Sequence, residues 1–83
     1  MPRNHRDVLE SVISAGFVKH WQLPDLSGYS DRTVANALAN LRKLGLADTF
    51  SGGWSATERG KIAFAIIVGK ESRARRNVLM VAA

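Results

Sequence analysis

The sequence predicts a mainly α fold carrying a small β-hairpin: three helices, the hairpin, then a C-terminal helix. Two observations predict it. Apolar residues recur at helical spacing before Gly16 and again from Ser30 to Leu44. Between Leu46 and Ala56 the pattern becomes that of two short strands flanking Ser51-Gly52-Gly53, and a helical pattern resumes at Thr57. At 83 residues and 46% hydrophobic, the chain is sized for one domain with one core.

The first helix is expected from about Arg6 to Ala15, with Val8, Leu9, Val12 and Ile13 on one face. Asn4 is placed to cap it, Asp7 to complete a capping box, and Gly16 to end it. Phe17-Val18 follows as a short strand or extended link. Leu23 to Ser27 reads as a short second helix, because Pro24 is tolerated in a first turn, where its missing N–H breaks no helical bond. Gly28 closes that helix, and Ser30 caps the third. There Val34, Ala37, Leu38, Leu41 and Leu44 form an inward stripe, with Arg32, Ala35, Asn36, Ala39, Asn40 and Lys43 on the other side. Gly45 ends it. Phe50 and Trp54 bracket the hairpin turn and are expected in the core, as are Trp21 and Tyr29. Thr57 caps a fourth helix running to about Val68, with Gly69 ending or weakening it. Residues 1–69 thus form the domain, and residues 70–83 a basic, then apolar, tail suited to dimerisation.

Charge narrows the function classes. The formal net charge is +5, and the surplus lies in the second half. Arg3, Arg6, Lys19 and Arg32 balance Asp7, Glu10, Asp25 and Asp31. Beyond residue 41, Arg42, Lys43, Arg59, Lys61, Lys70, Arg73, Arg75 and Arg76 outweigh Asp48, Glu58 and Glu71. A one-sided basic field favours a polyanionic partner. There are no cysteines, hence no disulfide framework or thiolate metal site. His5 and His20 lack companions at ligand spacing, so no metal and no cofactor is expected. No nucleophile–base pair or phosphate-cradling loop points to catalysis. The longest apolar run, Ile62 to Val68, is far shorter than the roughly 20 residues of a membrane span. A cytoplasmic, nucleoid-associated protein without a small-molecule ligand is expected.

Two stretches carry a family resemblance. Leu23-Pro24-Asp25-Leu26-Ser27-Gly28-Tyr29-Ser30-Asp31-Arg32-Thr33-Val34 resembles the turn region of the winged helix-turn-helix regulators of prokaryotes and their viruses. Leu41-Arg42-Lys43-Leu44-Gly45-Leu46, followed by Trp54-Ser55-Ala56-Thr57-Glu58-Arg59-Gly60, is similar to that family's leucine-glycine-leucine, wing and Thr-Glu-x-Gly ending. The likeness covers roughly residues 6–68. It departs from the family at Pro24, where alanine is usual, and at the wing tip, which lacks the Arg or Lys that many relatives push into the minor groove.

The resemblance implies duplex DNA as partner, with helix 30–44 in the major groove. The residue types there suit base readout. Arg32 can bond guanine bidentately, Asn36 and Asn40 can do the same for adenine, and Ala35 is short enough to approach a thymine methyl. Ser30 and Thr33 near the helix N-terminus, together with Arg42, Lys43, Arg59 and Lys61, are candidates for phosphate contact. In the fourth helix, Ile62, Ala63, Ile66 and Ile67 are expected to face the core. Phe64 and Val68 would then project outward and, with Leu79, hold a partner such as a second copy. The leading expectation is a sequence-specific regulator, a repressor of phage or mobile-element type. A winged-helix protein-interaction adaptor and a sequence-blind architectural DNA binder are the alternatives.

Overall fold

The computed structural model describes the backbone of residues 2–82 and the side chains of residues 2–70. In chain order the elements are α1 (Arg3–Ala15), β1 (Val18–Lys19), a 3₁₀ turn (His20–Gln22), α2 (Leu23–Ser27), α3 (Asp31–Lys43), β2 (Ala47–Phe50), β3 (Gly53–Ala56) and α4 (Glu58–Ala82). The strands form one antiparallel sheet in the order β1-β3-β2.

α1 begins three residues earlier than Asn4 and Asp7 suggested. Pro2 stands at its N-cap, and the Pro2 carbonyl accepts from the Arg6 N–H at 3.1 Å. Asn4 is therefore inside the first turn, where its Oδ1 accepts from the His5 N–H instead of capping. α2 holds Pro24 in its opening turn and stops at Gly28, whose φ of +79° is a left-handed conformation that costs glycine little. Ser30 caps α3 as expected, its Oγ accepting from the Thr33 N–H at 3.3 Å. At the far end the Leu46 N–H reaches the Leu41 carbonyl at 2.8 Å, and the Gly45 N–H reaches that of Arg42 at 3.0 Å. With Gly45 at φ +75°, this is a Schellman termination.

The core joins Val8, Leu9 and Val12 of α1, Val18 of β1, Leu23 of α2, and Val34, Ala37, Leu38 and Leu41 of α3, closed by Leu46 and Ala47. No polar or charged residue is buried among the described residues. Each of the larger side chains here contributes about 1.5–3 kcal/mol by leaving water. Leu44, expected on the inward stripe, is instead exposed. It is the C-cap of α3, and the turn at Gly45 carries the chain away before Leu46 re-enters the core. Phe50 and Trp21, also expected inside, are exposed, whereas Trp54 and Tyr29 pack half-buried against the core.

The fourth helix differs most from expectation. It runs through Gly69 without a break to Ala82. A helical glycine costs about 1 kcal/mol relative to alanine, against which Lys70 and Glu71 after it are good helix formers. Its rotation about its own axis also differs. Gly60 is buried against the Leu46 backbone, and a Cβ there would overlap the Leu46 carbonyl oxygen and lie 2.9 Å from its carbon. With Gly60 fixed inward, Ala63 and Phe64 follow at i+3 and i+4 and pack against the core. Ile62 and Ile66 therefore point outward, 60% and 54% exposed, and Phe64 is not the outward residue the sequence suggested. Val68 is exposed as expected, and Leu79 lies outside the described side chains.

Candidate nucleic-acid interface

α3 is held on three sides. α1 and α2 cross it, and β2 lies along its flank. The turn between α2 and α3 is fastened to α1 by the Tyr29 hydroxyl, which donates to Asp7 Oδ2 at 2.6 Å. That hydrogen bond first, then lost hydration and the carboxylate's charge, raises the phenol above its ordinary pKa of about 10. At the other end Thr57 ties α3 to the later elements. Its Oγ1 donates to the Gly45 carbonyl at 2.6 Å and accepts from the Gly60 N–H at 3.0 Å. Its N–H reaches the Leu46 carbonyl at 3.1 Å.

With Val34, Ala37, Leu38 and Leu41 inward, the helical repeat turns Arg32, Asn36, Ala39 and Lys43 directly outward, and all four are exposed. Among the described residues, no side-chain hydrogen bond or ion pair holds Arg32 or Asn36. This stripe is a rigid row of a guanidinium, an amide, a methyl and an ammonium. It has the donors and acceptors that base edges require.

The other predicted residues are more scattered. Asn40 sits on the α1 side of α3, its Nδ2 3.3 Å from His5 Nε2. Ala35 is exposed on the opposite flank. Ser30 and Thr33 occupy the N-terminus of α3, where their hydroxyls hydrogen-bond each other at 3.1 Å. Arg42 leans toward the wing, with Nε 3.9 Å from Asp48 Oδ1, a loose exposed pair of little energetic weight. The Arg59 side chain runs beside Gly45, and Lys61 lies 3.5 Å from Glu58 on α4.

Two features were missed in the sequence. Lys19 of β1 reaches the wing turn, where its Nζ donates to the Ser51 carbonyl at 2.7 Å. The tip that carries no cation of its own therefore receives one from another strand. Beside α3, a cleft of about 530 Å³ is lined by His20, Trp21, Asp31, Val34, Ala35, Leu38, Ala39 and Trp54. Only the placement of Trp21 next to Leu23-Pro24, at the start of a helix, hinted that this indole would be left outside.

Three helices with a helix-turn-helix at α2–α3, a β-hairpin wing and a following helix make this a winged helix-turn-helix domain of the kind found in DNA-binding regulators. Solved structures agree. The chain is similar to ligand-free NadR, with a TM-score of 0.74 at 15% identity over 95% of this chain and 59% of that one. It is similar to NadR in complex with 4-hydroxyphenylacetate at TM-score 0.79, 16% identity, and 95% and 61% coverage. The MarR family transcriptional regulator SPO1453 from Silicibacter pomeroyi DSS-3 gives TM-score 0.74, 17% identity, and 99% and 61% coverage. The chain thus spans about three fifths of the length of these proteins. No family model matches the sequence, and no curated protein matches it. No helix among the described residues is long and apolar enough to cross a membrane.

Proposed function

We propose that the chain is a sequence-specific duplex-DNA-binding regulator that lays α3 in the major groove. The observation that carries this reading is the unengaged, outward row of Arg32, Asn36, Ala39 and Lys43 on a helix immobilised from both ends. Arg32 and Asn36 read base edges, with Ala35 close to the bases, and Lys43, Arg42, Ser30 and Thr33 meet phosphates. Asn40 joins the readout only by giving up His5. Arg59 and Lys61 add to the basic field. The likeness to regulators supports a non-catalytic, intracellular role.

The protein acts as a homodimer, with the exposed Ile62 and Ile66 of α4 contributing to the interface. Twofold symmetry would set two α3 helices about one DNA turn apart. NadR has a structure in complex with 4-hydroxyphenylacetate. A small-molecule effector of this protein, for which the sequence held no sign, has a candidate seat in the Trp21–Trp54 cleft.

Selection of bound sequences from a random duplex pool tests the main reading. A defined motif should emerge, and Arg32→Ala or Asn36→Ala should each weaken it by about 1–3 kcal/mol while random DNA is affected little. Equal losses on both DNAs would show that these residues meet only phosphates.

A further inference from the structure

The outer face of the wing carries a feature that readout by α3 does not use. The strand register pairs both Lys19 and Phe50 with Gly53, so the three share one face. Val18, Thr49 and Trp54 share the other face, on which Val18 is buried and Trp54 packs against the core. Gly53 has no side chain, and the Phe17 ring fills its place: a Cβ there would lie 2.6 Å from Phe17 Cε2. Phe17 and Phe50 meet over the glycine with centroids 5.1 Å apart and planes tilted by 45°. Both stay open to solvent, 42% and 57% exposed. Lys19 Nζ stands 5.2 Å from the Phe17 centroid and is held on the Ser51 carbonyl.

Covering a sheet glycine with an aromatic ring stabilises the sheet, which accounts for Phe17. It does not account for Phe50, whose ring adds apolar surface beside an ammonium at the edge of the turn. Position suggests the occupant. β2 packs against α3. With α3 in a major groove about 12 Å wide, an element packed against its side lies over a phosphate ridge and the adjacent minor groove. Ser51 and Gly52 are a turn too short and too neutral to engage that groove alone. What stands there is Phe50 with a cation next to it. The carboxylate on the same face, Asp48, is turned toward Arg42. Minor-groove proteins of the bending type combine these two elements, a Lys or Arg and an inserted apolar wedge that unstacks one base step.

We propose that Phe50, backed by Phe17 and flanked by Lys19, is an aromatic wedge that enters the minor groove beside the α3 site and bends the duplex. This rests on the DNA-binding reading above. It adds that part of the selectivity comes from the deformability of a step that α3 never touches.

The test uses the full chain and a duplex carrying the pool-selected motif, with donor and acceptor fluorophores at its ends. The wild type should bring the ends closer, and Phe50→Ser should leave them apart while keeping its Arg32-dependent preference. Replacing a flexible TA step under the wing by GG should weaken wild-type binding about fivefold to tenfold, and Phe50→Ser binding less than twofold. Lys19→Met should keep the bend and lower the salt dependence by about one ion. If Phe50→Ser fails to melt cooperatively, the step replacement on the wild type decides alone, and indifference to the step overturns the wedge. Equal bending by wild type and Phe50→Ser, with the Arg32-dependent preference intact, overturns the wedge and leaves base readout standing. Failure to bind any duplex overturns both.

Discussion

Replacing Gly60 by alanine and, separately, Gly69 by alanine makes the same chemical change twice in one helix, and the structure demands opposite outcomes. On helix propensity alone each substitution should gain up to about 1 kcal/mol. At Gly69 nothing lies within 4 Å of the new methyl, so the gain is realised. At Gly60 the methyl would overlap the Leu46 carbonyl oxygen and sit 2.9 Å from its carbon and 3.2 Å from its Cα, all backbone atoms that no rotamer change can move. The first turn of α4 must retreat, and the bonds of Thr57 to Gly45 and Leu46 then stretch or break. Overpacking costs about 1–3 kcal/mol and each lost bond about 1 kcal/mol. After subtracting the propensity gain, Gly60→Ala should destabilise by about 2–4 kcal/mol. At roughly 0.05–0.15 kcal/mol per residue, that is a large share of this chain's stability. Urea titration followed by helical circular dichroism reads it directly. The Gly60→Ala midpoint should fall by about 1–3 M at unchanged slope, and that of Gly69→Ala should rise by under about 1 M. Shifts of the same sign would refute the close approach of α4 to Leu46.

Two further outcomes follow from the α3 scaffold. Ser30→Ala removes the cap of α3 and should cost about 1 kcal/mol, seen as a lower melting temperature, whereas Ser30→Thr should restore most of it. The phenol of Tyr29, the only tyrosine in the chain, should titrate above pH 10, and Asp7→Ala should bring its absorbance midpoint down. Because the folded pKa is raised, this contact's stabilisation is complete below the unfolded value near 10 and is lost as pH rises through the folded value. An unchanged midpoint in Asp7→Ala would mean that the hydroxyl does not meet this carboxylate in solution.

The helix-turn-helix was legible in the sequence because its signals are local. Gly28, Ser30 and Gly45 mark ends within a few residues of the helices they bound, and the Val34/Ala37/Leu38/Leu41 stripe needs no knowledge of its neighbours. What could not be read depends on distant parts of the chain. The apolar residues of α4 offer two plausible inward faces, and the contact of Gly60 with Leu46 selects between them. The hairpin position of Phe50 and the aromatic character of Trp21 pointed both into the core, but a core this small is filled by aliphatic side chains before they are needed. Lys19 reaches Ser51 across 32 positions of sequence, so a tip without lysine in its loop still carries an ammonium. The helical repeat turns Arg32 and Asn36 to the exposed face of α3, while Asn40 lies against His5, a long-range contact that the repeat cannot show.

The Thr57 junction has a mechanical consequence. It welds the end of α3 to the start of α4, so the two turn as one body, with Gly45 and Leu46 as the elbow. α4 has 25 residues and is therefore a lever about 37 Å long. Whatever holds the far end of that lever, a swing of about 5° there displaces α3 by about 3 Å, close to the rise of one base pair. If the chain binds DNA as proposed above, a small tilt of α4 would move α3 by the spacing of one base-pair step.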